Sequence, residues 1–176
     1  MSASLQTAIV LSAMKALRAQ GSWCGETHIQ KTLFISQELL DVPSNFKFIL
    51  YKHGPYSFDL SEHIQGLIAD DLVHVLTRPP YGPTLEAADE IQIPRNDSVQ
   101  KRLEFIAQRL GRRGVGDLEK LATAVFVNRK YGSQTPVERR AEILSNLKPH
   151  VSVEAARSAF VEADQITHDA RVALAA

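Results

Sequence analysis

The tightest constraint on how this chain can fold comes from one turn-forming segment, Arg78-Pro79-Pro80-Tyr81-Gly82-Pro83. Its three prolines have no amide hydrogen to donate, so regular strand pairing cannot run through it. Strand-forming residues occupy positions 72–77 before the segment and can return over 84–93 after it. The segment therefore predicts the tip of a β-hairpin.

Apolar residues before this hairpin follow helical spacing in two places. They recur on one face over 4–20 and again over 26–40, which predicts two amphipathic helices. Gly21 ends the first of them, and the second stops before Pro43. Phenylalanine, isoleucine and tyrosine are frequent over 46–51, which predicts a short strand there.

The segment after this strand predicts a turn followed by a third helix. Gly54-Pro55 turns the chain, and Ser57 is placed to cap a helix over 58–68. The resulting order of helix, helix, strand, helix, strand, turn and strand is expected of a winged-helix variant. The helix over 58–68 would then be the recognition helix, and the proline segment would be the tip of the wing.

The rest of the chain predicts helices over 98–110, over 117–130, up to Leu147, and from Ser152 onwards. Threonine, proline and glutamate in Thr135-Pro136-Val137-Glu138 predict a capping box. We therefore predict a mainly α fold with a small β-sheet. A winged-helix-like core over 1–95 is expected to carry a helical C-terminal extension over 96–176, packed together as one compact domain.

The amino-acid composition indicates which class of protein this chain belongs to. Apolar residues make up 44% of the chain and charged residues 23%, which is ordinary for a globular protein. No apolar run approaches the roughly 18 to 20 residues of a membrane helix, and the first residues do not resemble a signal peptide. The single cysteine, Cys24, cannot form an internal disulfide. We expect a cytoplasmic protein without a membrane partner.

Motifs for catalysis are missing from the sequence, which has no Gly-rich phosphate loop and no Gly-x-Ser-x-Gly elbow. Cys24 and His28 lie four residues apart and would share a helix face if the second helix began early enough, as a thiol activated by an imidazole requires. A buried structural cysteine is the favoured interpretation. We predict a protein that is not an enzyme and has no cofactor.

Metal binding is weakly indicated. The close histidine pairs of zinc sites do not occur among His28, His53, His63, His74, His150 and His168. His53 and His63, with Asp59 between them, could meet across the Gly54-Pro55 turn. The favoured interpretation is that His53 fixes the turn and His63 lies on a solvated face, so no metal site is predicted.

The negative charge on the predicted recognition helix argues against binding to nucleic acid. The helix carries Asp59 and Glu62 and has no lysine or arginine, and the chain has a formal net charge of zero. Because DNA binding depends on lysine and arginine contacts to phosphates, such a helix is poorly suited to a DNA groove. It could still dock on a protein, so the sequence favours a protein partner.

Aromatic residues are candidates for a protein-binding surface, and basic residues are candidates for phosphate binding. Tyr51, Tyr56, Phe58 and Tyr81 lie near the turn and the wing, where they could form a protein interface or fill the core. A basic set could instead hold phosphates, since positions 102, 109 and 113 approximate one helical face, or it could be only a solvated face. That set consists of Arg78, Lys101, Arg102, Arg109, Arg112 and Arg113.

Two segments resemble a known family: Ile29-Gln30-Lys31-Thr32-Leu33-Phe34, and the strand over 46–51 continued by Lys52-His53-Gly54-Pro55-Tyr56-Ser57-Phe58-Asp59-Leu60. They resemble the YwgA-like family and, more distantly, the Panacea-type antitoxin domains, over about residues 5–77. The resemblance implies a winged-helix-related regulator or antitoxin-like module in a defence or stress context, without known catalytic residues. It carries over Lys31 and residues 51–60 as shared framework.

The sequence therefore predicts a non-catalytic regulator that binds another protein, such as a toxin or effector that it neutralises. The alternative is a winged-helix transcriptional regulator that binds DNA through the basic set. The predicted partner-binding residues are Lys31, Tyr51, His53, Gly54, Pro55, Tyr56, Phe58, Asp59, Glu62, Arg78 and Tyr81.

Overall fold

The computed structural model describes residues 4–77, 82–89, 93 and 96–174. Within them the chain forms seven helices and two antiparallel sheets of two strands each, so the prediction of a mainly α fold with little β structure is confirmed. The elements are α1 (Leu5–Ala19), α2 (Glu26–Leu40), β1 (Ile49–Tyr51), β2 (Gly54–Tyr56), α3 (Phe58–Ala69), β3 (Val73–Thr77), β4 (Pro83–Ala87), α4 (Asp97–Leu110), α5 (Val115–Tyr131), α6 (Val137–Leu147) and α7 (Val153–Leu174).

Serine caps begin two helices as predicted. The Leu60 amide donates to the Ser57 hydroxyl at 3.2 Å at the start of α3, and the Ala155 amide donates to the Ser152 hydroxyl at 3.2 Å at the start of α7. A side-chain oxygen at this position satisfies an amide that has no partner inside the helix. Ser57 is buried, so its cap also fixes the junction between β2 and α3.

The predicted capping box at α6 is wrong. The residue that precedes the helix is Pro136, which has no side-chain oxygen to accept a hydrogen bond. The Thr135 hydroxyl instead donates to the Tyr131 carbonyl at 2.8 Å, one turn back at the end of α5. Threonine commonly bonds back to the carbonyl four residues earlier, and here that bond replaces the cap.

The predicted turn at Gly54-Pro55 is also wrong. The strand predicted over 46–51 is shorter, and it pairs with Gly54–Tyr56 in the register Tyr51↔Gly54, Leu50↔Pro55 and Ile49↔Tyr56. Lys52 and His53 form the turn, so Gly54 and Pro55 belong to the returning strand. Sequence reasoning places the turn at Gly-Pro because these residues are common in turns; here Gly54 is used for a close approach to α5.

The second hairpin pairs β3 with β4, and Thr77 faces Pro83 at the end next to the connecting segment. Of the predicted tip at 78–83, residues 78–81, which include Arg78 and Tyr81, lie outside the described residues, whereas Pro83 begins β4; residues 90–92 of the predicted second arm also lie outside them. In the described part of the chain β1 pairs with β2 and not with these strands. The Leu85 amide of β4 donates at 2.9 Å to the Cys24 carbonyl, in the loop before α2.

Two apolar clusters form the interior. The larger one joins α1 and α2 with α4 and α5, through residues such as Ile9, Leu33, Leu103 and Leu118. The smaller one joins α5 to α6 and α7, around the fully buried Phe160. Both α5 and α7 contribute to the two clusters, and the first hairpin packs against α5.

Candidate functional site

The first hairpin approaches α5 so closely that a side chain at position 54 would be strained. Gly54 has a φ of +85°, which L side chains rarely adopt. A Cβ atom built there would lie 3.1 Å from Thr123 Oγ1 and 3.4 Å from Glu119 Cγ. The backbone of the hairpin therefore rests directly on the surface of α5.

Two buried lysines hold the hairpin by its backbone. Lys31 Nζ, on α2, donates to the Pro55 carbonyl at 2.8 Å, and Lys31 is only 2% exposed. Lys148 Nζ, at the end of α6, donates to the carbonyls of Tyr51 at 2.9 Å and Lys52 at 2.6 Å. Two elements distant in sequence, α2 and the end of α6, thus converge on three carbonyl groups of one short hairpin.

Glu119 balances the charge of these lysines. Its carboxylate is buried on α5, with Oε1 3.2 Å from Lys148 Nζ. Burial lowers the pKa of Lys31 to about 8, Glu119 opposes this effect and Lys148 adds to it. Lys31, Glu119 and Lys148 are called the ion cluster below. Buried charges of this kind are tolerated only when they are paired and hydrogen-bonded.

Gln30 fixes the other end of the hairpin. Its side-chain amide donates to the Ser57 carbonyl at 2.9 Å, and its side-chain oxygen accepts from the Ser57 amide at 2.9 Å. Gln30 and Lys31 are neighbours on α2 and both are buried. The hairpin and the start of α3 are therefore anchored to α2 as one piece.

The outer face of this anchored hairpin is aromatic. The rings of Tyr51, Tyr56 and Phe58 contact one another, with centroids 5.1 to 5.8 Å apart. Tyr51 is 53% exposed and Phe58 54% exposed, and Ile49, which faces Tyr56 across the strands, is half exposed. These four residues are called the aromatic patch below. Tyr51 and Phe58 do not fill the core, which was the other interpretation of these aromatics.

Acidic side chains border the aromatic patch. The Tyr56 hydroxyl donates to Glu26 Oε1 at 2.9 Å. Asp59 and Glu62 are exposed on α3 beside Phe58, and α3 carries no lysine or arginine. The carboxylates on which the sequence argument depended are therefore at the surface and not inside the fold.

Sequence reasoning missed Gln30, Ile49, Glu119 and Lys148. The signal for Lys31, Gln30 and Glu119 was their position on the apolar faces of α2 and α5, where polar residues are uncommon. Lys148 gave no comparable signal, because its partners are hairpin carbonyls almost one hundred positions away.

Most of the predicted basic set has structural partners. Arg102 donates to the carbonyls of Leu40 and Asp41 at the end of α2, at 2.9 and 3.0 Å. Arg109 pairs with Asp169 of α7 at 2.7 Å, and Arg113 pairs with Glu162 of α7. Lys101 and Arg112 are exposed, and Arg78 lies outside the described residues. Pairing with carboxylates reduces the charge that this face can offer to phosphates.

Cys24 and His28 do not form a nucleophile and base. The helix begins at Glu26, so the condition for a shared face is not met. Cys24 is fully buried, its nearest hydrogen-bond acceptor is the Met14 carbonyl at 3.8 Å, and burial raises the pKa of its thiol to about 12. His28 Nε2 bonds to the Arg113 carbonyl at 3.0 Å, and burial lowers the pKa of His28.

Cys24 is therefore expected to react with an aromatic disulfide reagent at least about a thousandfold more slowly in the native protein than in denaturant. Burial raises its pKa from the ordinary 9.0 to about 12, which removes nearly all thiolate, and the sulfur is inaccessible. Time-resolved absorbance of the released thiol measures both rates. Rapid stoichiometric labelling of the native protein would contradict this assignment.

His53 and His63, whose meeting across the turn was the disfavoured alternative, have different partners. His53 lies on the exposed turn with Nδ1 3.9 Å from Glu119 Oε2. His63 contacts Thr7 Oγ1 at 3.2 Å and packs edge-on against Phe46, and burial lowers its pKa, so its predicted place on a solvated face is wrong. Among the described residues there is no group of three or more His, Cys, Asp or Glu that could hold a metal ion.

Comparisons of this chain with known proteins found no relative. Neither the protein-family models, nor the curated proteins, nor the solved structures gave a match to this chain. Among the described helices, none is both long and apolar enough to span a bilayer.

Proposed function

We propose that this protein is a non-catalytic regulator that binds another protein through the aromatic patch. The carrying observation is that two buried lysines hold the backbone of a hairpin whose outer face is exposed and apolar. A hairpin of three-residue strands is unstable alone, so its shape here depends on these contacts. Placing charges inside a fold costs free energy, and here the arrangement fixes a surface with no partner of its own among the described residues.

The composition of the patch fits a protein interface. Tyrosine and phenylalanine are enriched in interfaces and supply large contact areas with few rotatable bonds. Tyr51, Tyr56 and Phe58 already hold one another in place, so little side-chain freedom would be lost on binding. The patch is therefore preorganised for a partner.

The border of the patch suggests the chemistry of that partner. Asp59 and Glu62 flank Phe58 and would repel phosphates, whereas they would attract lysine or arginine. A cationic side chain could also stack on the exposed rings of Tyr51 and Phe58. The partner is thus a protein that presents apolar and basic side chains together.

An antitoxin-like or defence-associated accessory role is the most specific form of this proposal. In it, the N-terminal half is a winged-helix-like, YwgA-like core, and α3 has the place of a recognition helix but faces a basic toxin or effector. The DNA-binding alternative depends on Arg78, Lys101 and Arg112, because Arg102, Arg109 and Arg113 have partners within the fold.

Binding is tested with a patch variant, Tyr51→Ser with Phe58→Ser, and a matched control, Val161→Ser with Val172→Ser on α7. The control valines are 61% and 68% exposed, so both variants remove apolar surface that is already accessible. Wild-type protein is used to retain a partner from lysate of the native host. The partner is identified, purified and titrated against all three proteins by calorimetry.

We expect the patch variant to lose at least about a hundredfold in affinity, because two central aromatic contacts each contribute about 2 kcal/mol or more. The control should bind within about twofold of wild type, and both should melt close to wild type. Equal binding by the patch variant would overturn the proposal, as would the absence of a stoichiometric partner. Salt-sensitive binding to duplex DNA, unchanged in the patch variant, would favour the alternative.

A further inference from the structure

A groove of about 1110 Å³ lies on another part of the surface. Its walls are the β3–β4 hairpin, α3, the loop before α2 and the joint between α4 and α5. This volume is at the upper end of small-molecule sites, which usually measure about 300 to 1000 Å³. Apolar side chains cover much of the lining: Trp23, Ile68, Val75, Leu85 and Val115.

A cationic group faces this apolar lining. Arg112 is exposed, and its Nε donates to the Gln20 carbonyl at 3.2 Å. Its two terminal nitrogens have no partner within the described parts of the chain. Arg113 also lines the groove but pairs with Glu162, and the acid that faces the groove, Glu26, accepts the Tyr56 hydroxyl. Arg112 therefore supplies the available positive charge, and the Glu26 carboxylate is the opposing negative charge in the lining.

The start of α5 adds to the positive potential, because its first-turn carboxylate, Asp117, pairs with Lys120, whereas the start of α2 carries Glu26. Gly25 and Gly114 precede α2 and α5, both line the groove, and neither has a side chain to cap the first amides. Such amides together resemble about half a positive charge. At Gly114 the φ of −70° is ordinary and a Cβ would meet nothing within 4 Å, so neither conformation nor packing requires glycine. Because Gly114 has no side chain, the first amides of α5 remain accessible.

We infer that this groove binds a small molecule with an apolar, planar body and an anionic end, either a carboxylate or a phosphate. The body lies against Trp23, Val75 and Leu85, and the anion lies near Arg112 and the start of α5. Apolar burial supplies contact area, and the charged end selects the ligand and its orientation. Tyr51 and Phe58 of the aromatic patch do not line this groove, and the two sites meet at Glu26, which accepts the Tyr56 hydroxyl.

Trp23 is the only tryptophan in the chain and lines the groove, so its fluorescence reports on occupancy. The full-length protein is titrated with 3-phenylpropionate, phenyl phosphate, neutral 3-phenylpropanol and inorganic phosphate. We expect saturable changes with at least one of the two aromatic anions, and at least tenfold weaker binding of the alcohol and of inorganic phosphate. The aromatic anion that binds more tightly shows whether the site prefers a carboxylate or a phosphate.

Two variants test the position of the anion. Arg112→Ala should weaken binding of the aromatic anions about tenfold and leave the alcohol unchanged. Gly114→Asp should also weaken binding of the aromatic anions about tenfold. It should nevertheless raise the melting temperature, because its carboxylate caps α5. Gly114→Ser, which caps without charge, should raise the melting temperature and retain most of the affinity. Lys101→Ala, which removes an exposed cation outside the groove, is the control and should bind the anions like wild type.

The inference fails if none of the probes gives a saturable response, or if the alcohol binds as well as the anions. It also fails if Arg112→Ala and Gly114→Asp both bind like wild type. These variants leave Tyr51 and Phe58 intact, so capture of the protein partner should be unchanged. Failure at the groove is therefore distinguishable from failure of the proposed function.

Discussion

Glu119→Gln is expected to lower the free energy of unfolding by about 3 kcal/mol at neutral pH. Glutamine keeps the size of the side chain and removes its charge. Lys31 and Lys148 would then remain buried at the hairpin without the carboxylate that balances them. Removing one partner of a buried ion pair is costly because the other charge is left uncompensated in a medium of low polarity.

A matched substitution separates this effect from the general loss of a carboxylate. Glu142 pairs with Arg139 at 2.9 Å on the exposed surface of α6. Glu142→Gln is expected to change the free energy of unfolding by less than about 0.5 kcal/mol, because exposed pairs are screened by water. Urea denaturation of both variants and of wild type measures the difference. Equal stability of Glu119→Gln and wild type would show that the ion cluster does not hold the hairpin.

The effect of Glu119→Gln should also depend on pH through Lys31. The pKa of Lys31 is about 8 in the folded protein and 10.5 as the ordinary value, so the unfolded chain binds more protons between these values. Stability from this group therefore rises with pH across that window. Without Glu119 the folded-state pKa falls further, and the penalty at neutral pH is larger. The stability difference between variant and wild type should narrow as the pH rises towards about 8 and should stay constant above it.

Local features of the sequence predicted the helices well. The bounds of α2 were predicted from apolar spacing alone, and the caps at Ser57 and Ser152 were predicted from residue type. Each of these features depends on residues within a few positions of one another. Such short-range geometry is set by the periodicity of the helix and by the orphan amides at its start.

Features that depend on distant partners were not predictable in this way. The ion cluster joins residues 31, 119 and 148, and neither spacing nor residue type indicates that they meet. Arg102 and Arg109 lie on α4 but Arg113 follows its end, and the carboxylates of Asp169 and Glu162 on α7 pair with Arg109 and Arg113. The groove beside the connection between α4 and α5 was not predicted either, because a groove has no local signature in the sequence.

Gly54 shows the same limit at a single residue. A Gly-Pro pair predicts a turn from local statistics, but the structure uses glycine because α5 lies against the hairpin. Gly54→Ala is therefore expected to lower the free energy of unfolding by about 3 kcal/mol. Of this, about 1 to 2 kcal/mol comes from the positive φ, and the remainder from the contact of the new methyl with Thr123 Oγ1.

Two further variants make this expectation specific. Gly66 lies in α3 with a helical φ and open space around it, so Gly66→Ala should raise the free energy of unfolding by up to about 1 kcal/mol. Thr123→Ala added to Gly54→Ala should restore part of the loss, because it removes the atom 3.1 Å from the new methyl and leaves the backbone strain. Thermal denaturation should place the melting temperature of Gly54→Ala about 6 to 12 °C below wild type. If it melts like wild type, or if Gly66→Ala is equally destabilised, the hairpin does not rest on α5 as described, and the aromatic patch loses its rigid support.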